Sequence, residues 1–173
     1  MSKKHQTKLN NQGISIVEIV IVVAIMAIIG GAVLLSTTVA TDKQVSSCAE
    51  KIASSLEQTR NLVMGKSNGF IEIYQDAGDY VYVQIHVDGK TYGDEVSVGH
   101  PALQLHVFYS GGTDEILTVR GSTNPVKIYF SRSNGSVRTD MGDQVSRIEI
   151  TNGRRTMEVK IDSFTGRVEV NRL

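Results

Sequence analysis

Residues 14–35 read ISIVEIVIVVAIMAIIGGAVLL, and this apolar stretch decides which fold the sequence predicts. Only Ser15 and Glu18 are clearly polar within it. As a helix that rises about 1.5 Å per residue, the stretch would be roughly 33 Å long, which is enough to cross a hydrocarbon core of about 30 Å. Secretory signal peptides have apolar regions of only about 7–15 residues. We therefore expect a membrane-spanning helix over residues 14–35. The alternative is an ordinary signal peptide, for which Thr38-Val39-Ala40 would be the small-residue cleavage site.

The charges on either side of this stretch predict its orientation. Three lysines and no acidic residue lie in residues 1–13, whereas the mixed pair Asp42 and Lys43 follows the stretch. Because positive charge is enriched on the cytoplasmic side of membrane helices, we expect a single-pass cell membrane protein with a cytoplasmic N-terminus. The C-terminal part of the chain would then lie outside the cytoplasm.

Glu18 is an acidic side chain within the predicted membrane span. A carboxylate in such a span costs up to about 3 kcal/mol at the bilayer centre and less near an interface. An acid at this depth therefore indicates a functional role and requires a cationic partner.

The sequence Gly13-Ile14-Ser15-Ile16-Val17-Glu18, after a short basic leader, resembles the processing motif of type IV prepilins and of type II secretion pseudopilins. The resemblance implies that a prepilin peptidase cleaves between Gly13 and Ile14 and methylates the new amine of Ile14. It also implies that Glu18 meets the N-terminal amine of a neighbouring subunit in a helical filament. Two opposite charges about 4 Å apart attract by roughly 4 kcal/mol at an effective dielectric of about 20, before desolvation.

The apolar pattern changes along the rest of the chain. Residues 36–66 carry apolar side chains at helical spacing, including Cys48, and we expect an amphipathic helix packed on a sheet. After Gly69 the apolar residues alternate with polar ones, as in half-buried strands, and turn pairs such as Asn134-Gly135 and Asn152-Gly153 separate the runs. The predicted fold class is α+β, pilin-like, with a long N-terminal membrane-spanning helix packed on an antiparallel β-sheet or small β-sandwich.

These patterns predict three parts of the chain. They are a leader over residues 1–13, an N-terminal helix over residues 14–66 and an extracytoplasmic β domain over residues 67–173. The stretches at 126–138 and 161–170 are also similar to the end of H-type minor pseudopilins and FimT-like minor pilins. The resemblance therefore implies a structural minor subunit of a type IV pilus, competence or type II secretion filament. Its implied partners are other pilin or pseudopilin subunits, the prepilin peptidase, the inner-membrane assembly platform and the lipid bilayer.

The sequence shows no signature of catalysis. No G-x-S-x-G, P-loop, H-E-x-x-H or G-x-G-x-x-G motif is present. The single cysteine, Cys48, excludes an intrachain disulfide and a multi-cysteine metal site. We therefore expect no enzymatic activity, no catalytic residue, no cofactor and no metal site.

Charge is distributed unevenly, although 18 basic and 18 acidic residues give a net charge of zero. Residues 36–119 hold 5 basic and 11 acidic side chains, and residues 120–173 hold 10 basic and 6 acidic ones. Six arginines lie at or near the C-terminal hairpins: Arg132, Arg138, Arg147, Arg154, Arg155 and Arg167. The alternative function is therefore a binding module at a filament tip that holds DNA phosphates or a secreted substrate through these arginines.

Overall fold

A computed structural model describes residues 15–64, 68–117, 124–138 and 144–173, except for the side chains of residues 32–38. The chain divides into two units, one up to Thr38 and one from Val39 onward. The predicted leader over residues 1–13 and the predicted cleavage bond between Gly13 and Ile14 lie outside the described residues.

Helix α1 extends over Ile16–Val63 and is continued to Met64 by a hydrogen bond of 2.9 Å from the Met64 amide to the Arg60 carbonyl. The side chains of residues 32–38 are not described, so the helix has two fully described stretches. These are residues 16–31 and 39–63, about 16 and about 25 residues long. The first belongs to the N-terminal unit and the second to the unit that contains the strands.

The predicted fold class is wrong in its membrane-spanning helix. Within the described ranges, no helix combines the length and the apolarity that crossing a bilayer requires. The stretch over residues 39–63 carries charged side chains along its length. The structure is instead mostly antiparallel sheet with two shorter helical stretches, and the predicted single-pass membrane location is corrected for the same reason.

The described part of the chain contains nine β-strands in two antiparallel sheets. The strands are β1 (Gly69–Gln75), β2 (Val81–Val87), β3 (Lys90–Gly99), β4 (Gln104–Tyr109), β5 (Asp114–Ile116), β6 (Val126–Phe130), β7 (Val145–Thr151), β8 (Thr156–Ile161) and β9 (Val168–Arg172). One sheet has the order β3-β2-β1-β6 and the other has the order β5-β4-β7-β8-β9.

Both sheets bury one face and share a hydrophobic core with the helical stretch over residues 39–63. Burial alternates along β1, β2 and β6, as expected when successive side chains point to opposite faces of a sheet. Cys48, Ile52 and Leu56 are fully buried on the helix at helical spacing. They lie in one cluster with Ile71 from the four-stranded sheet and Ile148 from the five-stranded sheet.

Most segments in which apolar and polar residues alternate form strands, but two edge strands lack this pattern. β3 exposes all side chains over residues 90–97, and β5 is only three residues long. Because neither buries alternate side chains along its length, the periodicity of the sequence did not predict them.

Candidate functional site

The helical stretch over residues 16–31 exposes apolar side chains on all of its sides. Eleven large apolar residues have between 45% and 80% of their surface exposed. They are Ile16, Val17, Ile19, Val20, Ile21, Val22, Val23, Ile25, Met26, Ile28 and Ile29. A contiguous apolar surface of this kind marks an interaction site, because isolated folded chains rarely leave one uncovered.

Ser15 caps the start of this helix. Its hydroxyl oxygen accepts a hydrogen bond of 3.3 Å from the Val17 amide, and its carbonyl accepts one of 3.2 Å from the Ile19 amide. With Ser15 as the N-cap, Glu18 occupies the third helical position, so the sequence S-x-x-E has the spacing of a capping box. Ser15 was not predicted to be a functional residue, although the S-x-x-E spacing indicates that it caps the helix.

Glu18 lies in the first turn of helix α1 and is exposed. A carboxylate at this position interacts favourably with the positive end of the helix dipole, and it remains accessible to a cation from outside. The predicted processing residues Gly13 and Ile14 precede this turn but lie outside the described residues.

Two of the six predicted basic residues lie in the hairpin between β7 and β8. The side-chain oxygen of Asn152 accepts hydrogen bonds from the amides of Arg154 and Arg155 at 3.0 and 2.8 Å. The amide group of Asn152 donates a hydrogen bond of 2.9 Å to Asp42. Arg154 and Arg155 therefore lie beside the beginning of the helical stretch over residues 39–63.

Three other arginines lie near the opposite end of this stretch. Arg132 and Arg138 belong to the segment after β6, and Arg167 ends the turn between β8 and β9. The amide of Val137 in the first segment donates a hydrogen bond of 3.0 Å to the carbonyl of Ser163 in that turn. The three arginines are therefore held in two neighbouring segments.

Arg147 lies on the outer face of the five-stranded sheet and already has anionic neighbours. Its Nε atom is 3.1 Å from Glu149 and 3.9 Å from Glu158, and its guanidinium lies 3.9 Å from the ring centre of Phe108. The Nε–H makes no hydrogen bond, so the contacts with the two glutamates are ionic. These carboxylates offset the charge that a phosphate would otherwise meet.

The six arginines do not form one surface in the described structure. Asp42 lies beside one group. Arg60 lies beside the other, because its Nε donates a hydrogen bond of 3.0 Å to the Thr165 carbonyl in the β8–β9 turn. The two residues are 18 positions apart on one helix, which corresponds to about 27 Å. The six arginines are close to one another in the sequence but not in the structure. The geometry therefore does not favour the DNA-binding alternative.

The turn between β8 and β9 is held by hydrogen bonds to Asp162 and presents an exposed aromatic side chain. Asp162 accepts hydrogen bonds from the Thr165 amide at 2.8 Å, the Thr165 hydroxyl at 3.0 Å and the Phe164 amide at 3.0 Å. These bonds, chiefly those from Thr165, hold the pKa of the Asp162 carboxyl below its usual value. Phe164 is exposed at the tip of this turn.

The outer face of the four-stranded sheet carries a polar and aromatic cluster that the sequence analysis did not predict. The Phe70 ring is stacked between His86 and Tyr129, with ring centres 4.7 and 4.6 Å apart. Glu72 lies 3.1 Å from His86 and 3.0 Å from Lys127. Because both faces of the Phe70 ring are covered, this ring offers no free platform for stacking a base or a sugar.

Within the described ranges, no group of three or more His, Cys, Asp or Glu side chains is placed to hold a metal ion. Comparison of the chain with protein-family models, curated proteins and solved structures finds no match in any of the three.

Proposed function

We propose that the chain is a structural filament subunit of the pilin or pseudopilin type, cleaved between Gly13 and Ile14 and assembled through its N-terminal helix. The observation that carries the proposal is the exposure of eleven large apolar side chains over residues 16–31. Burial contributes about 25 cal/mol per Å² of apolar surface, so covering this helix strongly favours association.

The exposure on all sides of the helix favours several neighbours over one. A helix with a single apolar stripe packs against one partner surface. Side chains as far apart around the axis as Ile16, Val17 and Met26 are all more than half exposed in this structure. A filament core, in which each helix is surrounded by helices of other subunits, covers such a surface completely.

Glu18 and Ser15 have separate roles in this proposal. Ser15 starts the helix through its cap, and Glu18 supplies an exposed negative charge one turn after the new N-terminus. Only an axially shifted neighbour can bring its terminal amine to that carboxylate. The pair would therefore set the stagger between adjacent subunits.

The proposal assigns no chemistry to the chain itself. Cleavage and methylation belong to the prepilin peptidase, and the assembly machinery drives the addition of subunits. The chain contributes its helix, its terminal amine and the β domain. We assign it to the minor subunits, on the similarity of its hairpin stretches to theirs.

Substitutions at two positions separate the charge of Glu18 from its place in the capping box. Glutamine suits a capping box but carries no charge. We expect Glu18→Gln to reduce incorporation into filaments as severely as Glu18→Ala, measured as the fraction of the chain in sheared or pelleted filaments. Ser15→Ala should reduce it less, since the cap contributes only about 1 kcal/mol.

Normal incorporation of Glu18→Ala would contradict the proposed role of this carboxylate. If Glu18→Gln is incorporated normally and Glu18→Ala is not, Glu18 acts in helix capping. Its charge then does not set the stagger between adjacent subunits. Equal amounts of each variant in the cells, measured by immunoblotting, serve as the control for folding and turnover.

A further inference from the structure

The sheet edges of the C-terminal unit carry opposite charges on its two flanks. We define the acidic flank as residues 88–99 and 114–116, which form the β2–β3 turn, β3 and β5. It holds five acidic residues and one basic residue. We define the basic flank as residues 126–138 and 162–172, which form β6 with the segment after it, the β8–β9 turn and β9. It holds five basic residues and two acidic ones.

The topology brings the strands of each flank together on one side of the C-terminal unit. β3 ends one sheet, and residues 100–103 connect it to β4, which pairs with β5 at the end of the other sheet. The acidic edges are therefore neighbours. β6 and β9 end the two sheets on the other side. The hydrogen bond from Val137 to Ser163 joins the segment after β6 to the β8–β9 turn, so the basic edges are also neighbours.

Six charges on these flanks are exposed and make no ion pair with any residue that the structure describes. They are Asp94, Glu95 and Asp114 on the acidic flank and Arg132, Arg167 and Arg172 on the basic flank. Folding of the single chain therefore does not explain their segregation. Because the two flanks carry opposite charges, the acidic flank of one copy is complementary to the basic flank of another.

We propose that the acidic flank of one copy docks against the basic flank of a second copy. The two contacting surfaces differ, so the interface is heterologous, and each copy keeps one free flank of each sign. Repetition of such a contact generates an open helical array unless the rotation closes a ring. The inference rests on the proposed filament function and adds a contact between the β domains wherever two copies of the chain are neighbours.

The contact should determine the relative orientation of the two copies and their rate of association more than their affinity. Exposed ion pairs contribute only about 0–1 kcal/mol each, and salt screens charges separated by more than about 8–10 Å. Complementary patches nevertheless steer encounter, and placing like charges against each other is strongly unfavourable. The apolar helix would supply most of the association energy, and the flanks would select the side on which the next copy adds.

Disulfide crosslinking of the full chain in cells tests this contact. Asp94→Cys combined with Arg167→Cys places one thiol on each flank, and an oxidant should link successive copies into a ladder of dimers, trimers and larger species. The native thiol of Cys48 is buried and should remain unlinked. The matched control combines Asp94→Cys with Arg154→Cys, which lies on the β7–β8 hairpin and is also exposed. A ladder that is absent, or equal in both pairs, would overturn the proposal.

Charge reversal then tests whether electrostatic complementarity holds the contact. In the crosslinking background, Glu95→Arg with Asp114→Arg makes both flanks basic, and Arg132→Glu with Arg172→Glu makes both acidic. Each reversed chain alone should lose at least about tenfold in ladder yield. Co-production of the two reversed chains should restore the ladder, which excludes misfolding as the cause of the loss. Failure of co-production to restore it would contradict the proposal.

The Glu18→Ala substitution separates this inference from the filament proposal. If ladders persist in that background while incorporation into filaments is normal, the flank contact stands and the role of Glu18 fails. If filaments require Glu18 but charge reversal changes neither ladder nor assembly, the filament proposal stands and the flank contact fails.

Discussion

The guanidinium of Arg60 donates a hydrogen bond of 3.0 Å from Nε to the backbone carbonyl of Thr165, 105 residues later in the chain. This bond joins the last turn of helix α1 to the turn between β8 and β9. Gly166 follows Thr165 in that turn and packs against the backbone of Gly135 in the segment after β6. Both glycines have positive φ angles, 64° for Gly166 and 70° for Gly135. Three segments that are distant in sequence therefore meet at one junction.

We expect Gly166→Ala to destabilise the protein by about 3 kcal/mol or more. An added Cβ would overlap the Gly135 carbonyl, which is backbone and cannot rotate away, and a positive φ adds strain. Gly153→Ala is the matched control, because Gly153 has a φ of 82° but no atom within 4 Å of an added Cβ. It should cost only about 1 kcal/mol. Guanidinium chloride unfolding of the purified chain measures both, and equal costs would show that the junction is not tightly packed.

Asn152→Asp should destabilise the protein through its contact with Asp42. The substitution keeps the oxygen that accepts from the Arg154 and Arg155 amides, but it replaces the donor to Asp42 with a second carboxylate. We expect a loss of about 1–3 kcal/mol at neutral pH. Adding Asp42→Asn should recover part of this loss, because an amide donor then faces the new carboxylate. A double-mutant cycle from denaturant unfolding gives the coupling energy, and a coupling near zero would show that the contact is not maintained in solution.

Cys48 should be unreactive in the folded protein and should make stability depend on alkaline pH. Burial, opposed by the nearby charge of Lys51, raises the pKa of this thiol from 9.0 to about 12. Above about pH 9 the thiol ionises in the unfolded chain but stays neutral in the folded one. The contribution of Cys48 to the free energy of unfolding is therefore fully present below pH 9 and is lost as the pH rises toward 12.

The rate of reaction with a thiol reagent at pH 8 measures the protection of Cys48. We expect it to equal the rate of unfolding or local opening. Between pH 9 and pH 12, the free energy of unfolding should fall less steeply in the Cys48→Ala variant than in the unsubstituted chain. Rapid labelling of the folded chain, or an unchanged pH dependence in the variant, would contradict the burial.

The sheets could be predicted from the sequence wherever a strand buries one face. Ile71 and Ile73 in β1, and Val81 and Val83 in β2, alternate with polar neighbours because their side chains enter the core. Turn pairs such as Asn152-Gly153 were informative because the turn requires a positive φ, which glycine adopts without strain. β3 was missed because an exposed edge strand needs no alternation.

The candidate sites were harder to predict, because side-chain neighbours depend on strand order. Arg147 and Arg155 are close in sequence, yet one meets Glu149 and Glu158 on a sheet face while the other lies in a turn beside the helix. The cluster of Phe70, His86 and Tyr129 arises from pairing of β1 with β2 and β6, which no local pattern specifies. Hydropathy indicated that residues 14–35 are apolar, but the described helix does not satisfy the requirements for a membrane span.

The N-terminus of the mature chain tests the central proposal most directly. N-terminal sequencing, together with the intact mass of the chain isolated from cells that contain a prepilin peptidase, would identify the first residue and any methyl group on it. We predict that the chain begins at Ile14 with one methyl group on its amine, and that Gly13→Val prevents cleavage. A chain that keeps residues 1–13, or that begins at another residue, would contradict the account.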